Sequence, residues 1–122
     1  MKRHLTQSQE DYLEVIHDIA SQGEAVCVSE IALRKKISKP SVTNALRRLE
    51  KYGFIRHGKY DYVELTKAGE EKAKGLANKH AVLKKFLTDV LSVPPKVADA
   101  DACVIEHCVS DITIKAIANF FK

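Results

Sequence analysis

Hydrophobic positions in the first half of the chain recur every three or four residues, which is the period of an amphipathic helix. This pattern predicts helices over about 8–21, 29–36 and 39–52. Ser38 is a suitable N-cap for the third helix, and Pro40 fits the first turn that follows it. The short connection between the second and third helices is typical of a helix-turn-helix unit.

Two stretches of alternating apolar and polar residues follow the third helix. They predict short strands at 54–57 and 60–65, joined by a hairpin turn at Gly58-Lys59. The resulting order of helix, helix, turn, helix and hairpin is typical of a winged helix-turn-helix domain, in which the hairpin is the wing.

The second half of the chain is predicted to be helical. A long helix over about 67–91 precedes a break at residues 92–95, and two shorter helices follow, the second of them after Ser110. The expected fold class is therefore mainly α. We expect a winged helix-turn-helix DNA-binding domain over residues 1–65 and a helical domain over residues 66–122.

The charge of the chain is concentrated in one block. The sequence of 122 residues has a formal net charge of +4, but the stretch from Arg34 to Tyr60 holds nine lysines and arginines against one acid. The rest of the chain carries eleven basic residues against fifteen acids, so it is net negative. A basic block inside an otherwise acidic chain is typical of a protein that binds a polyanion, and double-stranded DNA fits the predicted fold.

The start of the third helix is predicted to read DNA, because a recognition helix contacts base edges through its N-terminal residues. Small polar side chains let such a helix enter the major groove, and Asn44 can bind adenine through two hydrogen bonds. Basic side chains nearby suit sequence-independent contacts with phosphates. The candidate DNA-binding residues are Lys36, Ser38, Lys39, Pro40, Ser41, Asn44, Arg47 and Lys59.

A second set of residues has the chemistry of a transition-metal site. Cys103, Glu106 and His107 are three and four residues apart in a predicted helix, which puts a thiol, a carboxylate and an imidazole on one face. Asp11 and Glu14 form an acidic pair on the first helix, and mixed donors of this kind suit a first-row divalent ion. With a histidine of the long helix added, the candidate metal ligands are Asp11, Glu14, His80, Cys103, Glu106 and His107.

The other two cysteines, Cys27 and Cys108, are expected to be packing residues. An odd number of cysteines without a disulfide framework is typical of a reducing compartment. The sequence has no recognisable secretory leader and no apolar run of roughly 18 residues, the length that a transmembrane helix needs. We therefore expect a cytoplasmic protein with no membrane partner.

The order of these motifs resembles the diphtheria-toxin-repressor family of metal-dependent transcriptional regulators, which includes the manganese transport regulators. The resemblance is carried by residues 10–14, 38–43 and 65–69, by His80, and by residues 103–107. In this family the six candidate ligand positions hold the metal, and Ser38, Pro40, Ser41 and Asn44 match positions that contact DNA.

The resemblance also implies how such a protein works. It implies a homodimer that binds a palindromic operator in double-stranded DNA and represses metal-uptake genes when the metal is abundant. The second domain is then a helical metal-binding and dimerisation domain. The dimer core is expected to include the apolar residues of the last helix, Ile112, Ile114, Ile117, Phe120 and Phe121.

The chain departs from both branches of that family at the metal ligands. It resembles the manganese branch at Asp11 and the iron branch at Cys103, so the ligand set is a hybrid. The thiol favours iron(II), while manganese(II) and zinc(II) also fit. Lys84 stands where the iron branch has an acid of a second metal site, which leaves Asp99 with His80 for a reduced version of it. The sequence ends without the SH3-like domain of longer members, which resembles the compact manganese type.

Two other functions fit parts of the sequence. Cys103, Glu106 and His107 are similar to the inverted zinc-peptidase motif His-x-x-Glu-His, so a small metallohydrolase is one alternative. That alternative leaves little chain for a substrate cleft, and we expect no enzyme. The second alternative is a winged-helix regulator that senses oxidation, through Cys103, or another non-metal signal.

Overall fold

The computed structural model describes residues 5–122, so residues 1–4 of the predicted DNA-binding domain lie outside it. The chain divides into two compact units, Met1–Ala73 and Lys74–Lys122. The first unit contains α1 (Gln7–Ser21), α2 (Val28–Lys35), α3 (Lys39–Lys51), β1 (Ile55–His57) and β2 (Val63–Leu65). Helix α4 (Lys67–Asp89) begins in the first unit and continues into the second, which also contains α5 (Pro95–Ile105) and α6 (Asp111–Phe120). Within residues 5–122, no helix combines the length and apolar character that a bilayer span requires.

The core of the first unit joins one face of each of its first three helices to the hairpin. Leu13 of α1, Ile31 of α2 and Leu46 of α3 are completely buried, together with Ile55 of β1. These residues lie on the apolar stripes that the sequence pattern indicated, and their burial drives the helices together. The prediction of a mainly α winged helix-turn-helix fold is confirmed.

Hydroxyl side chains cap α1, α3 and α6. The Thr6 hydroxyl accepts a hydrogen bond from the Gln9 amide at 3.1 Å, and the Gln9 side chain accepts one from the Thr6 amide at 3.0 Å. This reciprocal capping box starts α1 at Thr6. Ser38 and Ser110 accept from amides three residues ahead, and they start α3 and α6 as predicted.

The wing differs from its predicted form. Ile55 pairs with Leu65 and His57 pairs with Val63, so the strands are shorter than predicted, and a 3₁₀ turn over Lys59–Asp61 lies between them. A two-residue turn at 58–59 would have put Val63 on the solvent face. The observed register buries Val63 in the core instead, which explains why the predicted turn was wrong.

The connection from the wing into α4 is tightly held within the first unit. The Thr66 hydroxyl donates to the Gly53 carbonyl at 2.6 Å and accepts from the Gly69 amide at 3.2 Å. A Cβ on Gly69 would collide with the backbone carbonyl of Phe54. Glycine at this position therefore allows the first turn of α4 to lie directly against the chain that enters the wing.

The core of the second unit is smaller and lies between its three helices. Leu83 of α4, Ala102 of α5 and Ile114 of α6 are buried together, and Val109 packs against them. Helix α5 ends at Ile105, so Val109 lies beyond it. The chain turns there because the amides of Cys108 and Val109 both bond the Ile105 carbonyl, at 2.9 and 3.0 Å.

Candidate nucleic-acid interface and metal centre

The exposed start of α3 is the candidate recognition surface. Ser38 accepts from the Ser41 amide at 3.3 Å, and its hydroxyl donates to the Ser41 hydroxyl at 2.9 Å. These bonds fix the first turn of α3 and leave small side chains at its tip. The predicted DNA-binding residues are all exposed: Lys36, Ser38, Lys39, Pro40, Ser41, Asn44, Arg47 and Lys59. The geometry of a groove-reading helix is therefore present, while contacts with DNA remain a prediction.

The basic block is less available to DNA than its charge suggests. Arg34 lies 3.1 Å from Asp18 and from Glu30, and 3.5 Å from Glu24. Its guanidinium therefore joins α1 to α2 and contributes to the fold of the first unit. The lysines at positions 36, 39 and 59 are exposed, and for them no ion pair is found among the described residues. Exposed positive charge is therefore present on the turn before α3, at the start of α3 and on the wing.

Tyr60 is a candidate DNA contact that the sequence did not indicate. It lies at the tip of the wing beside Lys59, and it is 87% exposed. Its backbone φ of 61° is in the left-handed region, and that of Asp61 is also 61°. Non-glycine residues rarely adopt this conformation without a structural or functional reason. Sequence pattern alone had placed Tyr60 inside a strand, and so it did not mark the residue.

In the second unit, His80 lies between two carboxylates. Its Nδ1 is 3.0 Å from Oε1 of Glu106, and its Nε2 is 2.8 Å from Oδ1 of Asp99. The same oxygen of Asp99 is 3.4 Å from the Lys84 ammonium. The structure therefore brings together two of the predicted ligands, His80 and Glu106, which are 26 residues apart in the chain. It also brings Asp99 to His80, the pair left for a reduced second metal site, and that site stays a prediction.

These contacts set the electrostatics of the cluster. Burial alone would lower the pKa of His80, but hydrogen bonds to Asp99 and Glu106 hold this pKa above its ordinary value. The hydrogen bond from His80, and after it the Lys84 ammonium, lower the pKa of Asp99. The cluster is thus a series of contacts that runs from Lys84 through Asp99 and His80 to the buried Glu106.

The surroundings of Glu106 show whether the residues present suit a divalent metal. Its side chain is buried, and its second oxygen, Oε2, has no hydrogen-bond donor among the described residues. A buried carboxylate oxygen normally has a partner, because burial without one is costly. An imidazole nitrogen beside a carboxylate is a donor set that first-row divalent ions prefer. The residues present therefore fit a divalent transition metal.

Of the three ligands predicted around the end of α5, only Cys103 lies within the helix itself. Cys103 lies on α5 and is exposed, Glu106 caps the helix, and the half-buried His107 lies in the turn that follows. Lys79 of α4 holds this turn by donating to the Val109 carbonyl at 3.0 Å. Cys108 is exposed, so the expectation that it packs in the core was wrong.

The acidic pair of the first helix lies in the first unit. Asp11 and Glu14 are one turn apart on α1, and both are half-buried. Their membership in a ligand set that draws on both units stays a prediction. Cys27, the third cysteine, is half-buried, and its backbone bridges to Tyr62 beside the wing.

Comparison with known proteins covers both halves of the chain. Residues 4–63 match the N-terminal DNA-binding domain of the iron dependent repressors, and residues 66–122 match their metal binding and dimerisation domain. The chain is 37% identical over 118 residues to the transcriptional regulator MntR of Salmonella typhimurium, covering 96% of this chain and 74% of that one. It is 32% identical over 107 residues to the iron-dependent repressor IdeR of Mycobacterium leprae, covering 88% of this chain and 46% of that one.

The fold is similar to that of solved regulators. The structure of the manganese regulator SloR superposes with a TM-score of 0.82 at 28% identity, covering 96% of this chain and 54% of that one. The chain thus spans about half the length of SloR and of the mycobacterial repressor. Because the DNA-binding and the metal-binding domain both match, this chain belongs to the iron-dependent repressor family of metal-dependent transcriptional regulators.

Proposed function

We propose that this chain represses genes of divalent-metal uptake by binding a palindromic operator as a homodimer in the cytoplasm. Residues 1–65 read the DNA, while residues 66–122 dimerise and supply metal ligands. The observation that carries the proposal is the buried Glu106 oxygen without a donor, beside the imidazole of His80. A site of this chemistry, in a chain with an exposed recognition helix, supports a DNA-binding protein that responds to a metal.

The proposed ligand set combines donors from α1, from α4 and from the end of α5. Thiolate sulfur is a softer donor than carboxylate oxygen, so Cys103 favours iron(II) over manganese(II). Asp11 keeps manganese(II) possible, and zinc(II) accepts every donor in the set. We propose iron(II) as the physiological metal. The proposed ligands are Asp11, Glu14, His80, Cys103, Glu106 and His107.

The proposed mechanism acts through α1. A bound divalent cation supplies two positive charges to carboxylates that otherwise repel one another. Asp11 and Glu14 lie on α1, whose Leu13 shares a core with Leu46 of the recognition helix α3. Because cores are closely packed, a restraint on α1 is passed to α3. In a symmetric dimer this restraint selects the spacing at which both recognition helices reach successive major grooves.

Fluorescence anisotropy on duplex DNA from upstream of this chain's own gene tests the proposal. Binding is measured anaerobically with chelator, and then with iron(II), manganese(II) or zinc(II) at matched free concentrations. We expect metal to tighten operator binding roughly 5–150-fold, the usual range of allosteric coupling. Linkage also requires that operator DNA tighten metal binding by the same factor.

Variants separate the metal switch from DNA binding itself. Glu106→Ala and His107→Ala are expected to lose the metal-dependent increase while keeping salt-sensitive, non-specific binding. Asp101→Ala, an exposed acid of α5, is the matched control and should respond as the wild type does. Equal operator affinity with chelator and with metal would show that the metal does not control DNA binding. Metal-independent binding that is abolished by peroxide would favour the oxidation-sensing alternative.

A further inference from the structure

We infer that Asp99, held in turn by Lys84, is a positioning residue that orients His80 so that Nδ1, and not Nε2, faces the metal. The inference rests on the proposed function, because it assumes that His80 and Glu106 bind a metal. It adds two residues that act through His80 without touching the ion. It also differs from the expectation that Asp99 and His80 form a reduced second metal site.

The two ring nitrogens of His80 have different roles in this arrangement. A neutral imidazole has one nitrogen that donates and one that accepts. Nε2 lies 2.8 Å from a carboxylate oxygen of Asp99, a group that only accepts when ionised. Both nitrogens thus face carboxylate oxygens, and a metal bound at Nδ1, 3.0 Å from Glu106, would take the place of the Nδ1 proton while Nε2 keeps its proton for Asp99. Metal-bound histidines commonly donate their other nitrogen to a carboxylate in this way.

The position of Asp99 is held by Lys84. The Asp99 side chain is 56% exposed, so packing alone does not fix its rotamer. Lys84 lies one helical turn after His80 on α4, and its ammonium is 3.4 Å from the Asp99 oxygen that also contacts His80. Two donors from α4 thus converge on one oxygen from α5. This arrangement selects the Asp99 conformation that contacts Nε2.

The charges around His80 favour a metal on its Glu106 side over one on its Asp99 side. A cation bound to the Asp99 carboxylate would have the Lys84 ammonium as a neighbour, because that ammonium is 3.4 Å from one of the two carboxylate oxygens. Like charges at this separation repel. On the other side, Glu106 offers a buried oxygen with no donor among the described residues. Charge and unmet hydrogen-bonding capacity therefore both direct a cation to Nδ1 and Glu106.

Zinc(II) is the probe for the test, because it is diamagnetic and binds the same donor types. Titrations with a competing chelator give the zinc affinity, and long-range ¹⁵N–¹H NMR spectra show which nitrogen of His80 binds zinc. In the wild type we expect zinc on Nδ1 and the proton on Nε2. Asp99→Ala should weaken zinc binding about 10–100-fold, as removal of such supporting residues typically does. Lys84→Met should produce a smaller loss, and Asp99→Asn, which retains an acceptor oxygen, should restore part of the affinity.

Asp101→Ala is the matched control, since it removes an exposed acid from the same helix and is expected to leave zinc affinity unchanged. Circular dichroism of each variant shows whether it folds. If Asp99→Ala does not fold, the zinc affinity of Asp99→Asn is compared with that of the wild type instead. Zinc on Nε2 in the wild type, or unchanged affinity in Asp99→Ala, would overturn the inference. A wild type that binds no metal would instead overturn the proposed function, so the two failures are distinct.

Discussion

Glu106 has a buried carboxylate whose presence is hard to explain by stability. It is 1% exposed, and His80 satisfies one of its oxygens. An oxygen buried without a donor costs about 1–3 kcal/mol. Replacing buried ionic groups with apolar ones of similar size is often neutral or stabilising. A side chain selected for packing alone would therefore be apolar here, which supports a ligand role for Glu106.

Cys103 is the residue at which the choice of metal is expected to be made. Exchanging its sulfur for a carboxylate removes the one soft donor of the proposed ligand set. Cys103→Glu should therefore shift the metal ranking in operator-binding assays from iron(II) toward manganese(II). Anisotropy titrations with each metal at matched free concentrations measure the ranking.

The control for this prediction is Cys108→Ser, which changes the exposed thiol five residues further along the chain. It should leave the ranking of the wild type intact. An identical metal ranking in Cys103→Glu and the wild type would exclude Cys103 as the selecting ligand. A changed ranking in Cys108→Ser would instead indicate that the second thiol takes part.

At the scale of elements, α1 is attached to its neighbours on both sides of Asp11. Glu10 is buried, and its carboxylate lies 3.0 Å from the Lys72 ammonium at the start of α4. Tyr12 is also buried, and the Lys35 ammonium of α2 lies 4.5 Å from the centre of its ring. The turn that carries Asp11 is therefore held by two lysines from neighbouring helices, both within the first unit.

Lys72→Met is expected to loosen the attachment of α1. Glu10 is buried, but Lys72 is 40% exposed, so we expect a loss of about 1 kcal/mol in the free energy of unfolding. Urea denaturation of the metal-free protein measures the change. Lys67→Met, at an exposed position of the same helix, is the control and should stay within about 0.5 kcal/mol of the wild type. Equal midpoints for the two variants would show that the Glu10 pair contributes nothing.

The elements whose bounds could be predicted are those with local signals. Helices start at Thr6, Ser38 and Ser110 because each hydroxyl accepts a hydrogen bond from the amide three residues ahead. Such caps can be recognised in the sequence, because the two groups are only three residues apart. The wing register and the end of α5 depend on burial of Val63 and Val109, which spacing alone does not reveal. Contacts between distant residues, such as that of His80 with Asp99, follow from packing and not from local pattern.

At the scale of the whole molecule, the second unit exposes several large apolar side chains. Ile112 is 81% exposed and Phe120 is 64% exposed, and Leu91 and Val104 are exposed as well. Exposed apolar groups of this kind mark contact surfaces. Ile114, which we had assigned to the dimer core, is buried within its own protomer instead. We therefore predict that the dimer contact uses the exposed apolar residues of α6, Ile112 and Phe120.

Ile112→Asp is expected to convert the dimer to a monomer, because a charged side chain replaces an apolar one in the contact and would be desolvated there. Sedimentation velocity measures the oligomeric state. Operator affinity should fall at least tenfold, because the two recognition helices then bind half-sites independently. Zinc affinity per chain should stay unchanged, since the proposed ligands are untouched. Lys115→Ala, at an exposed position of α6, is the control and should remain dimeric. If the Ile112→Asp variant remains dimeric, Ile112 is not part of the dimer contact.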